Sequence, residues 1–203
     1  MRELIIENQF WPCILFYSLV LRIDVVHIES KEHFVKRSFR NKMQLPGPNG
    51  ILDLSIPLEK GKSKKSMDEV AISYAENWSK SHLHTIHTLY KNAPFFEHYI
   101  DQISAIYEFE YDRLIDLQHA IHQFVFKALK QEKELLYTKD YQTDYQADLF
   151  IDARNHLLPS AVNIEGFMHQ PYMQIFEEKI GFKTNMSMLD LIMCEGPNAV
   201  QYL

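Results

Sequence analysis

The chain has 203 residues, 46% of them hydrophobic, and its 27 acidic side chains outnumber 21 basic ones for a formal net charge of −6. That length fits one domain, 1–203, able to bury most of its unfolded surface. The acidic balance argues against nucleic acid as the main partner, because affinity there comes from neutralising phosphates. Two cysteines near opposite ends, Cys13 and Cys194, argue against a disulfide scaffold and for a reducing cytoplasm.

In chain order, Leu4-Ile5-Ile6 reads as a short strand broken by Trp11-Pro12. Phe10–Ile23 is apolar but shorter than the ~20 residues a spanning helix needs. It also contains Pro12, follows Glu3 and Glu7, and lacks a signal peptide's basic start. It is read as core, with a buried helix over Ile14–Leu21 and a strand over Ile23–Ile28. Strand, helix, strand is a βαβ-like order. Leu52, Leu54, Ile56 and Leu58 alternate with polar residues as in a half-buried strand, with Asn49-Gly50 as turn signal. Pro57 places the end of that strand at an edge or bulge. Lys60–Ser66 reads as a basic mobile loop, and Val70–Tyr74 as a strand paired with the previous one.

The middle is helical. One stripe carries Leu83, Ile86 and Tyr90, a second Phe96, Tyr99 and Ile103, and a third Leu114, Leu117, Ile121 and Val125. Leu135-Leu136-Tyr137 suggests a further short strand, and residues 138–171 carry little pattern. Ser187 and Asp190 have capping-box spacing, and Gly196-Pro197 is a stop, predicting a helix over 188–195. The expected fold class is α/β, a small mixed sheet with a βαβ-like unit, a hairpin and a substantial helical portion.

The candidate site begins with His33–Lys42, where Lys36, Arg37, Arg40 and Lys42 stand among aromatics beside Asn41. Arg presents a rigid fork of donors suited to phosphate or carboxylate, so an anionic ligand is implied. If extended, Lys36, Ser38, Arg40 and Lys42 share one face; the alternative is a solvated edge strand. Alanine at Arg40 or Lys36 is expected to weaken binding without lowering Tm. His84 with His87, and Asp116 with His119 and His122, have spacing that can present metal ligands. Solvated helix faces produce such spacing often, so no metal is assigned. The glycines form no GxGxxG or Walker-type phosphate loop, and no cofactor is identified.

Together Lys36-Arg37-Ser38-Phe39-Arg40-Asn41, Asn49-Gly50 with Leu54–Pro57, Trp78, His82, Ile86, Tyr90 and Pro94-Phe95-Phe96 form one ordered pattern. Tyr172–Phe176, Gly181–Ser187, Leu189-Asp190-Leu191 and Gly196-Pro197 continue it to the end of the chain. The pattern resembles the WbqC-like protein family, which is associated with bacterial surface polysaccharide and O-antigen gene clusters. The resemblance implies a transferase-type role in making such glycans. Many members carry His-Gln-Pro after the first strand, where this chain reads Asn8-Gln9-Phe10-Trp11-Pro12.

On this reading Lys36, Arg37, Arg40 and Asn41 bind an anionic donor such as a nucleotide sugar or sugar phosphate. His82, one turn after Trp78, is the candidate base or hydrogen-bond donor, with packing on the indole as its alternative. Tyr172, Asn185, Ser187 and Asp190 are a candidate polar cluster, although a helix cap already accounts for Ser187 and Asp190. A non-catalytic nucleotide- or glycan-binding protein acting with a partner enzyme is the second reading, and a structural homo-oligomer the third.

Overall fold

The computed structural model describes residues 2–59, 65–162 and 170–203. The apolar run Leu4-Ile5-Ile6 is fully buried and forms the middle of strand β1 (Glu3–Glu7). Buried on both faces, such a strand belongs inside a parallel sheet. Helix α1 (Ile14–Arg22), buried from Ile14 to Val20, carries the chain across to β2 (Val26–Glu29). Leu4 lies opposite Val26 and Ile6 opposite Ile28. Two later strands, β5 (Leu136–Tyr137) and β6 (Phe150–Asp152), complete a four-stranded parallel sheet in the order β5-β2-β1-β6.

Between β2 and β5 lie an antiparallel hairpin, β3 (Lys42–Gly47) with β4 (Gly50–Ser55), and helices α2 (Trp78–Tyr90), α3 (Phe96–Glu108) and α4 (Leu114–Leu129). The fold is α/β, as the order of elements predicted. Its parallel and antiparallel strands form separate sheets. After β6 come the short hairpin β7 (Leu157–Leu158) and β8 (Ala161–Val162), the single turn α5 (Glu177–Ile180), and α6 (Met188–Glu195). No helix of the described residues is long and apolar enough to cross a membrane.

The stripe on α4 faces the core between α1 and α3. Phe16 stacks on His122, Tyr17 meets Phe126 edge-on, and Phe124 meets Tyr99. Helix α6 has the predicted bounds. Ser187 Oγ accepts from the Leu189 amide, and Gly196 ends the helix at φ +57°. A Cβ on Gly196 would lie 2.4 Å from the Phe95 ring, so only glycine lets the chain turn there against Phe95.

Several local expectations are corrected. The hairpin loop is Pro48-Asn49, and Gly50 opens β4 at φ +126°. Val70–Tyr74 is no strand: Ala71 and Ile72 make single bridges to Arg113 and Leu58, following a 3-10 turn at Met67–Glu69. Ser187 caps α6, but Asp190 does not reach back to it; its carboxylate turns into the core. The Lys60–Lys64 part of the basic loop lies outside the described residues.

Candidate functional site

In a parallel sheet the strands deliver their carboxyl ends to one edge, where ligand sites of α/β folds collect. Here that edge is charged and buried. Glu7 closes β1, Glu29 closes β2, Thr138 follows β5, and Arg154 and Asn155 follow β6. Glu29 is fully buried and accepts from the Lys31 amide (2.9 Å), Thr138 Oγ1 (2.7 Å) and Arg154 Nη1 (3.3 Å). Arg154 also pairs with Asp152 and stacks over Tyr145 at 4.9 Å.

The cationic segment is divided by the fold. Residues 36–40 form turns rather than an extended strand, so the shared face predicted for Lys36, Ser38 and Arg40 does not form. Arg40 is fully buried: its Nε and Nη2 donate to both oxygens of Glu32 (2.7 and 2.8 Å), and Nη2 also reaches Asn155 Oδ1 at 2.9 Å. Lys42 pairs with Asp53 at 2.7 Å. Asn41 ties the hairpin base, donating to the Ile56 carbonyl while its own carbonyl accepts from Ile56. Lys36 and Arg37 are exposed, with no ion pair among the described residues. Arg40→Ala therefore lowers Tm, contrary to the reading of the sequence, because removing one partner of a buried pair strands the other.

Beside Arg40 lies Glu7, 1% exposed, accepting from Gln9 Nε2 (3.2 Å) and from the Asn155 amide (2.8 Å). Burial pushes its carboxyl up to about 7, against the pull of the Arg40 guanidinium. Asn8 Oδ1 accepts from His122 Nε2 at 2.8 Å, and His122 Nδ1 accepts from the Tyr17 hydroxyl at 2.8 Å. Burial lowers the His122 pKa to about 3, which fits this neutral tautomer. One helical turn away, Gln118 Nε2 donates to the Arg40 carbonyl at 2.7 Å. Asp116 and His119, on the same helix, face a different region, so the three spaced residues on α4 do not converge; among the described residues no group of three or more His, Cys, Asp or Glu is placed to hold a metal ion.

The other candidates sit in two places. His82 is packed among Phe10, Trp78 and Tyr107, with ring centroids 5.3 to 6.0 Å away, and burial lowers its pKa to about 4. It is therefore neutral at pH 7. Trp78 is likewise buried. Tyr172 and Asp190 do meet: the Tyr172 and Tyr90 hydroxyls and Gln174 Nε2 all donate to the Asp190 carboxylate. Burial raises that carboxyl to about 6. Asn185 lies apart from that network, where its Oδ1 accepts from the Leu15 amide at 3.0 Å and caps α1 from a distance. Both thiols are buried and free, and burial pushes Cys13 up to about 12, which leaves it inert.

A surface cavity of about 490 Å³ opens at the carboxyl ends of β2 and β5, against the first turn of α4. Lys31, Arg113 and Lys139 surround it, Tyr137 and His119 form a wall, and Ser30 and Thr138 lie at its rim. Lys31 pairs with Asp68 (2.6 Å) and Arg113 with Asp116 (2.9 Å), whereas Lys139 has no ion pair among the described residues. A second cavity, of about 710 Å³, lies between Asn92, Pro94 and the 173–178 segment. Neither is lined by residues 36–41 or by His82.

Sequence reasoning passed over Glu7, Glu32, Gln118 and Asn155. One signal was available: Glu7-Asn8-Gln9 follows directly on the apolar run Leu4-Ile5-Ile6, where polar side chains are costly unless they are paired.

The chain is 22% identical to the uncharacterized protein Rv1507c of Mycobacterium tuberculosis, over 98% of this chain and 96% of that one. No solved structure matches it. The WbqC-like protein family matches over residues 8–159, a stretch that begins just after Glu7 and holds Glu29, Thr138, Arg154 and Asn155 of the sheet's carboxyl edge. The chain belongs to the WbqC-like protein family.

Proposed function

We propose that the protein binds an anionic donor, such as a nucleotide sugar or sugar phosphate, at the carboxyl edge of its parallel sheet. Its role on this reading is transferase-type, in the cytoplasmic assembly of bacterial surface polysaccharide. The observation that carries it is the cavity at the ends of β2 and β5, where Lys31, Arg113 and Lys139 outnumber the lining carboxylates Asp68 and Asp116 in a chain of net charge −6. An anion there would meet Lys139 directly and compete with Asp68 and Asp116 for Lys31 and Arg113. The exposed Lys36 and Arg37 are outer contacts in this scheme, and Arg40 supports them from within.

The test is a thermal-shift screen of nucleotide sugars, sugar phosphates and acyl or aminoacyl donors, followed by a search for turnover with any hit. A ligand at a hundred times its Kd should stabilise the fold by about 2.7 kcal/mol. That shift should vanish in the Lys31→Ala, Arg113→Ala double variant. If no anionic compound raises Tm, the reading fails. Stabilisation without turnover would favour a non-catalytic binding protein. One observation supports that second reading: Glu7 and Asp190, the carboxyls that burial pushes towards neutrality, do not line this cavity.

A further inference from the structure

The order of the sheet reverses between β1 and β6. From β1 the chain moves outward through β2 and β5, then returns to β6 on the other side. At such a point the connections diverge outside the carboxyl ends and leave room for a ligand. In this protein a ring of polar side chains surrounds that point. Asn8 bonds His122, Gln118 one turn along α4 bonds the Arg40 main chain, Arg40 bonds Asn155, and the Asn155 amide bonds Glu7. Glu7 is joined to Asn8 covalently, so the ring closes.

Three atoms on this ring are buried without a hydrogen-bond partner among the described residues: Asn8 Nδ2, Arg40 Nη1 and Gln118 Oε1. Trp11 Nε1, Trp78 Nε1, His82 Nδ1 and the Tyr107 hydroxyl also lack a partner among the described residues, but they lie off the ring; the three on the ring combine two donors with one acceptor in one network. We infer that the ring is a recognition site for an uncharged hydroxyl-bearing group, the vicinal hydroxyls of a sugar being the class that fits.

Two free donors and one free acceptor need a partner that both accepts and donates, as each hydroxyl does. An anion is disfavoured, because Glu7 and Glu32 face the site and Arg40 is already paired with Glu32. An ammonium ion would leave both donors unmet. Residues 35–40 and 153–155, which carry Arg40 and Asn155 of the ring, form neither helix nor strand. Each segment has one non-glycine residue in the left-handed region, Arg37 at φ +59° and Asn155 at φ +61°. Residues 35–40 pair with no strand, whereas the Ala153 amide donates to the Ile5 carbonyl at 2.8 Å as the last rung between β1 and β6. Glu29 connects the ring to the cavity, bonding Thr138 at the rim and Arg154, the neighbour of Asn155. The inference deepens the donor-binding reading and rests on it for the sugar's place in a larger ligand.

Two probes separate the claims. Neutral monosaccharides (glucose, galactose and N-acetylglucosamine) are titrated by saturation-transfer NMR, and inorganic pyrophosphate by calorimetry. At least one monosaccharide should saturate the wild-type chain. Glu7→Gln and Gln118→Met should each weaken it by about tenfold or more and leave pyrophosphate affinity unchanged. Gln118→Met conserves shape and keeps the test valid should Glu7→Gln not fold. No monosaccharide binding, equal binding in wild type and variant, or density for water alone at the three atoms in sugar-saturated crystals overturns the inference. Pyrophosphate binding would then leave the anion reading standing. Sugar binding without pyrophosphate binding would sink the anion reading alone.

Discussion

Asp190 and Glu7 are both buried carboxyls, and their surroundings differ in kind. Around Asp190, two tyrosine hydroxyls and an amide supply three donors to two oxygens, and Gln174 also bonds the Tyr172 hydroxyl and the Lys183 backbone. That cluster completes itself within the protein and locks the 172–183 segment onto α2 and α6. Around Glu7, the neighbours Asn8, Arg40 and Gln118 each keep one polar atom unmatched. A self-sufficient network serves stability, whereas one with unmatched atoms gives up stability where a partner from outside can restore it. On the inference drawn above, that contrast distinguishes scaffold from site in two regions equally hidden from water.

The largest effect should come from the Glu7 side. Arg40→Ala strands Glu32 and Glu7 without their cation and should cost about 3–5 kcal/mol in denaturant unfolding. Lys36→Ala, four residues earlier but exposed, should stay within about 0.5 kcal/mol. Equal losses in the two would erase the distinction between the buried and exposed halves of that segment. On the other side, Tyr90→Phe removes one donor from the Asp190 carboxylate, and about 1.5–3 kcal/mol should go with it. A neutral result would mean that the Asp190 network is less complete than its geometry.

The pH dependence sharpens the comparison at a smaller scale. Both carboxyls are held above their ordinary values, Glu7 at about 7 from 4.5 and Asp190 at about 6 from 3.8. The folded chain thus keeps protons that the unfolded chain has released. Stability from each group is complete below its ordinary value and declines as pH rises to the folded one, with a slope of at most about 1.4 kcal/mol per pH unit. Unfolding titrations should show Glu7→Gln abolishing the decline between pH 6 and 7. Asp190→Asn should remove only the part below pH 6. A wild-type profile flat from pH 4 to 7 would contradict both assignments.

Much of the scaffold was legible because its signals are local. The stripe on α4, the Ser187 cap and Gly196 stop of α6, and the β1-α1-β2 order each lie within a few residues of chain. The site was less legible because its contacts are distant. Glu7 meets Asn155, and Gln118 meets Arg40, across more than half and more than a third of the chain respectively. The charge of Arg40 marks it in the sequence, but nothing nearby says that Glu32 turns back to claim it. Spacing alone points Asp190 to a cap, while its carboxylate answers to Tyr90 and Tyr172 elsewhere in the chain. The turn at residues 36–40, read as extended, depends on Arg37 adopting a conformation that its side chain type does not announce.

The first turn of α1 is finished by residues from far downstream: the Met186 carbonyl takes the Ile14 amide, Asn185 takes the Leu15 amide, and Ser187 bonds the Trp11 carbonyl. A nascent chain still short of residue 185 therefore emerges from the ribosome with its amino-terminal helix uncapped. Without residues 185–187 the Ile14 and Leu15 amides would lose these acceptors, so the opening βαβ unit is tied to a segment some 170 residues away.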